Sequence, residues 1–147
     1  MGPFFAEAHL KRDLLPVQLP FTYAHEFSHL LGVSNEAEAN YWAYRACTES
    51  DVQPMRYSGY MGLLPYVLSN ASSLLTKEQF QEWVRTIRPE IIASYNENRN
   101  YWKERYSPMI GKVQEVTYNL FLKGNQIPSG RKNYAEVISL LLSLQKE

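Results

Sequence analysis

The residue types and spacing with the most chemical content lie in His25-Glu26-Phe27-Ser28-His29, an H-E-x-x-H pattern. On a helix, residues four apart sit one above the other, so both imidazoles face the same way. Two neutral imidazoles so placed can hold one Zn2+ ion, and the glutamate between them can act as general base toward a water on the metal. Taking His25 as the zero of angle and about 100° per residue, His29 falls near 40°, Glu26 near 100° and Ser28 near 300°. Tyr23, Ala24, Phe27, Leu30 and Leu31 fall between about 140° and 260°, which predicts a core-packing face opposite the chemistry. Pro20 before the pattern and Gly32 after its last apolar pair are start and stop signals for the helix.

A catalytic zinc needs three protein ligands and one open position. The stretch Ser34-Asn35-Glu36-Ala37-Glu38-Ala39-Asn40 offers two candidates for the third, Glu36 and Glu38. Asn35 or Ser34 reads as a helix N-cap. Glu38, three residues after Asn35, then fits a capping box, whereas Glu36 in the first turn could reach back toward the preceding helix. Gly32 ends the first helix and allows the quick reversal that the short stretch from His29 to Glu36 requires.

Two resemblances bear on the third ligand. The stretch Glu36-Ala37-Glu38-Ala39-Asn40 is similar to the Glu-x-x-x-Asp pattern of glutamate-type zincins (gluzincins), with Asn in place of Asp. That likeness implies Glu36 as the third ligand and Asn40 as the side chain that supports a zinc-binding histidine. A neutral Asn carbonyl can still accept from an imidazole N–H. The run from His25 to Gly32 also resembles the start of a metzincin site, but Asn35 stands where that family has its third histidine. The longer stretches HEFSHLLGVSNEAEANYWAYRAC and RYSGYMGLLPYVL, and the ending YSPMIGKVQEVTYNLFLKGNQIPSGRKNYAEVISLLLSL, resemble an uncharacterised bacterial family of membrane-anchored, gluzincin-type zinc peptidases. The resemblance covers the chain from about Leu19 onward. It implies a helical metallopeptidase domain, a peptide or protein substrate, and membrane helices upstream of this sequence.

Composition sets the frame. A chain of 147 residues can bury a core without disulfides, and its one cysteine, Cys47, excludes an internal disulfide. Cys47 reads as a small buried residue rather than a ligand or nucleophile. Fifteen basic residues balance fifteen acidic ones, which argues against nucleic acid as a partner and against electrostatic docking to a membrane. No apolar run approaches the length needed to span a bilayer.

The elements that must position the site read as almost all helix: a mainly α domain of about six to seven helices, with a zincin-like active-site helix and little or no β. Residues 1–20, with three prolines, read as irregular, and Val17-Gln18-Leu19 alternates like a very short edge strand. Helices are expected over about 21–32, 35–50 and 57–70, the last interrupted by Gly62 and Pro65. Thr76 and Gln79 form a capping box opening a helix to Arg88. Pro89 opens another to about Tyr106, Pro108 a sixth that ends at Gly124-Asn125, and residues 132–145 form the last. The domain as a whole is expected over 21–147.

Further site candidates are weaker. A peptidase needs a donor for the oxyanion of its tetrahedral intermediate, and Arg56 and Tyr57 could supply it. Tyr60 lies in the same segment, and structural roles are the commoner fate of all three. His9, among basic residues, reads as solvated. The expected activity is peptide hydrolysis with His25, His29 and Glu36 on zinc and Glu26 as base. The alternatives are a zinc-binding module without activity, a metal-free helical interaction module, and a hydrolase of a non-peptide amide.

Overall fold

Hydrophobic burial between helices, rather than a long-range ladder, builds the described residues. The computed structural model describes residues 13–105 and 132–144. Among them are six helices and no strand: α1 (Leu19–Leu30), α2 (Glu36–Thr48), α3 (Gln53–Leu74), α4 (Lys77–Thr86), α5 (Pro89–Arg105) and α6 (Lys132–Leu144). The mainly helical reading holds. The short edge strand does not, since Leu19 is already the first residue of α1. His9, the helix expected over 108–124 and the loop 126–131 lie outside the described residues.

The third helix departs furthest from expectation. It runs unbroken from Gln53 to Leu74 through Gly62 and Pro65. Proline removes one ladder hydrogen bond, but Met61 and Leu63 are buried beside it, and that packing outweighs the local penalty. Gly62 is there for proximity: a Cβ added at this position would sit 2.3 Å from the Phe21 ring. Gly59 does the same toward α2, where an added Cβ would meet Cys47 Cβ at 2.8 Å. Two side-chain-free positions let α3 close on both α1 and α2.

The chain divides into two compact units, one of residues 1–70 with 133–147 and one of residues 71–132. In the first, Phe21, Ala43 and Cys47 form one buried cluster, with Ala24 and Tyr44 against it. Ala37, Leu63 and Val137 form a second, with Tyr44, Tyr66 and Val67 packed around it. Tyr44 therefore touches both clusters. Cys47 is fully buried, and burial pushes its thiol up from the ordinary value. In the second unit, Thr76 and Gln79 complete the expected capping box at the start of α4, and Pro89 opens α5.

The buried side of α1 is a correction. Phe21 and Ser28 are buried and Ala24 packs on the core, whereas Tyr23 (53 %), Phe27 (44 %) and Leu31 (72 %) are exposed. Much of the expected core face, at Tyr23, Phe27 and Leu31, points outward. The helix packs instead through the side that carries His25, because that is where α2 approaches.

Candidate metal centre

The site begins with the two ends of α1. Its N-cap, Gln18, makes no side-chain cap, and Pro20 in the first turn has no N–H to satisfy. The Phe21 N–H instead donates to Ser58 Oγ at 3.0 Å, from α3. A residue 37 positions away thus caps the helix. At the other end, the Gly32 N–H donates to the His29 carbonyl (3.0 Å) and the Val33 N–H to the Ser28 carbonyl (3.1 Å). Those two bonds define a Schellman motif, and Gly32 sits in the left-handed region at φ 98°.

This reversal does two things for the histidines. It turns the Val33 carbonyl back over His29, where it lies 2.6 Å from Nδ1. Accepting from Nδ1–H, the carbonyl fixes the tautomer that leaves His29 Nε2 as a free lone pair. The reversal also delivers Asn35, whose side chain accepts from the N–H groups of Ala37 (2.7 Å) and Glu38 (3.0 Å) and starts α2. Glu36 then stands in the first turn of α2, facing α1.

Potential ligand atoms of three residues converge there. His25 Nε2 and His29 Nε2 lie 3.1 Å apart. Glu36 Oε2 is 3.3 Å from His25 Nε2, and Oε1 is 3.5 Å from His29 Nε2. Zinc–nitrogen and zinc–oxygen bonds of about 2.0–2.1 Å at tetrahedral angles place neighbouring ligand atoms about 3.3 Å apart. The separations lie near that edge length, the two to Glu36 running to different carboxylate oxygens; taken one atom per residue, the potential ligand atoms all lie within 4.8 Å of one another. Two imidazole lone pairs at 3.1 Å also repel unless a proton or a cation lies between them. Among the described residues, this trio forms the one group of three or more His, Cys, Asp or Glu side chains able to hold a metal ion. Glu38 is exposed and stands outside it.

The trio borders a cleft of about 610 Å³ lined by His25, Glu26, His29, Gly32, Val33, Ser34 and Glu36. Glu26 therefore shares the cleft with the candidate ligand atoms. Burial works against a charge on His25, but the Glu36 carboxylate outweighs it, with smaller help from Glu26 and Asn40, so the ring is held above its ordinary value. Glu36 is held below its own, chiefly by the hydrogen bond from His25 and against the cost of burial.

Asn40 is buried beside His25, and its Nδ2 donates to Tyr66 Oη at 3.0 Å. His25 Nδ1 is buried and has no partner at hydrogen-bond geometry, so Asn40 lies near that ring without closing the bond. Arg56 and Tyr57 do not line the cleft. The Arg56 guanidinium donates to the Ser50 carbonyl at 2.9 Å and braces the turn between α2 and α3. Tyr57 is 37 % exposed, and Tyr60 sets its ring edge-on to Tyr44. Three contributors escaped the sequence reading: the Val33 carbonyl, Ser58 and Tyr66. Gly32 as a C-cap carried the signal for the first, since a Schellman turn folds the next carbonyl back. Nothing in the sequence pairs Ser58 with α1 or Tyr66 with Asn40.

Comparison with known proteins adds a family. No curated protein and no solved structure matches the chain. A family model described as a protein of unknown function, DUF3810, matches residues 1–142. With nearly its whole length inside that match, the chain belongs to the DUF3810 family.

Proposed function

We propose that this chain is a zinc-dependent peptidase of the gluzincin type, with His25, His29 and Glu36 as ligands and Glu26 as general base. The observation that carries the reading is the convergence of the two imidazole Nε2 atoms, 3.1 Å apart, on the Glu36 carboxylate, whose Oε2 and Oε1 lie 3.3 and 3.5 Å from them, beside Glu26 in one cleft. Zinc held there would supply a Lewis acid for the substrate carbonyl and a water acidified toward neutral pH. The rest falls to the chain. Glu26 accepts the proton of the attacking water and returns it to the leaving amine, so no proton is lost over the cycle. The Val33 carbonyl keeps His29 in the ligating tautomer. Glu36, with both oxygens turned to the histidines, would complete the ligand set. The substrate expected is an extended peptide or protein.

A second reading keeps the metal and drops turnover. Its support is that Arg56 is engaged by the Ser50 carbonyl and that neither Arg56 nor Tyr57 lines the cleft. One experiment separates the two. Chelator-free protein is assayed for zinc and for cleavage of a broad peptide library, beside Glu26→Gln. One zinc per chain with cleavage that Glu26→Gln abolishes, while keeping zinc, supports the peptidase. Zinc without cleavage by the wild type supports the second reading, and equal cleavage by both proteins removes Glu26 as the base.

A further inference from the structure

The two histidines are held differently. His29 has its supporting acceptor on its own turn, in the Val33 carbonyl. His25 has none within α1, and its Nδ1 is buried. Once a metal takes Nε2 of a neutral imidazole, Nδ1 must carry the ring proton, and a buried N–H requires an acceptor. The polar side chain beside His25 is Asn40, itself only 6 % exposed.

An amide has two unlike ends, and which end faces the imidazole decides whether it helps. Asn40 Nδ2 is committed to Tyr66 Oη at 3.0 Å. That bond leaves Oδ1 as the end available to His25. A flipped amide would present N–H to N–H and repel the ring in its ligating tautomer. A hydroxyl can donate or accept, so it does not choose the end by itself; it anchors the amide in the observed orientation from α3, so the relay runs across α1, α2 and α3. The Tyr66 ring has separate work, packing against the Ala37, Leu63 and Val137 cluster. Removing the oxygen alone leaves that packing in place.

We propose that Tyr66 is a positioning residue for the metal centre, its hydroxyl holding the Asn40 amide with Oδ1 toward His25 Nδ1. The proposal rests on the zinc-site reading given above. It is tested by a double-mutant cycle on metal affinity. Zinc and cobalt(II) dissociation constants are measured for the full chain, Tyr66→Phe, Asn40→Ala and the double variant, with His25→Ala as the reference for a lost ligand. Tyr66→Phe is expected to bind about tenfold more weakly, in the range typical of outer partners of metal-binding histidines. In the Asn40→Ala background the same change is expected to have no further effect, because the hydroxyl acts through the amide. The His25 Nδ1–H proton of the zinc-loaded wild type, followed by NMR, is expected to exchange slowly with water, and faster in Tyr66→Phe. That readout stands even if Asn40→Ala does not fold.

Wild-type affinity in Tyr66→Phe, with zinc lost in His25→Ala, would overturn the positioning role and leave the metal site standing. An equal loss in both backgrounds would overturn it as well. A wild-type chain that takes up no metal would overturn both proposals at once.

Discussion

At the scale of single residues, the decisive comparison is between two glutamates one residue apart from being neighbours. Glu36 puts both carboxylate oxygens toward the imidazoles, while Glu38 stays exposed and contributes its backbone N–H to the Asn35 cap. Glu36→Ala is therefore expected to lose bound zinc and Glu38→Ala to keep it, by elemental analysis of chelator-free protein. The reverse pattern would move the third ligand. Both glutamates were readable from the sequence, and so was their competition, since capping and ligation both place an acid in the first turn. What sets them apart in the fold is which way the turn faces, and that depends on a reversal of the chain at Gly32 that sequence spacing only outlines. Cys47 was legible for a simpler reason. A small apolar side chain on a helix rich in aromatics has a core as its natural place, and it is fully buried. With its thiol pushed up by burial, it is expected to resist thiol reagents at neutral pH until the chain unfolds.

At the scale of elements, the sequence gives helices more readily than it gives their neighbours. The caps at Asn35, Thr76 and Gly32 are local chemistry and were readable. The buried side of α1 was not, because apolar residues ring much of that helix and an angular plot cannot say which part meets a partner. One clue was available: Glu36 must reach both histidines, so α2 has to lie on their side, and Tyr23, Phe27 and Leu31 must then point away. The continuation of α3 through Pro65 was hidden for a similar reason, since its support comes from burial of Met61 and Leu63. Two variants probe these junctions. Gly62→Ala would drive a Cβ into the Phe21 ring, and overpacking of this kind costs about 1–3 kcal/mol, read as a lower denaturation midpoint. Gly32→Ala meets no neighbour and suffers only from its positive φ, at a cost of about 1–2 kcal/mol. The two should differ in zinc binding. Gly32→Ala disturbs the turn that carries the Val33 carbonyl and Glu36, so metal affinity should fall beyond what the stability change explains. An unaltered affinity in a folded Gly32→Ala protein would mean that the turn tolerates the change without moving either group.

At the scale of the whole chain, the proposed zinc site would link folding, protons and metal through the same pair of residues. His25 is raised above its ordinary value of 6.5, so without metal it contributes stability that is fully present below that value and is lost as pH rises through its folded value. Glu36 is lowered below its ordinary value of 4.5, so its contribution is present above 4.5 and is lost as pH falls through its folded value. The metal-free pair therefore contributes most between 4.5 and 6.5, where Glu36 is charged and His25 protonated. Glu36 is half exposed, so solvent screening keeps that contribution small. Zinc bound at the proposed site would reverse the trend on the alkaline side. It requires a neutral imidazole, so it competes with the proton that the metal-free pair retains, and its binding free energy becomes folding free energy as pH rises. Thermal unfolding from pH 5 to pH 8 is expected to show the metal-free chain losing stability as His25 deprotonates. The zinc-loaded chain should gain stability over the same range, so the stabilisation by zinc widens with pH. His25→Ala should flatten both curves. Parallel curves with and without zinc would mean that the ion does not displace a proton from this pair, and would place any bound zinc elsewhere.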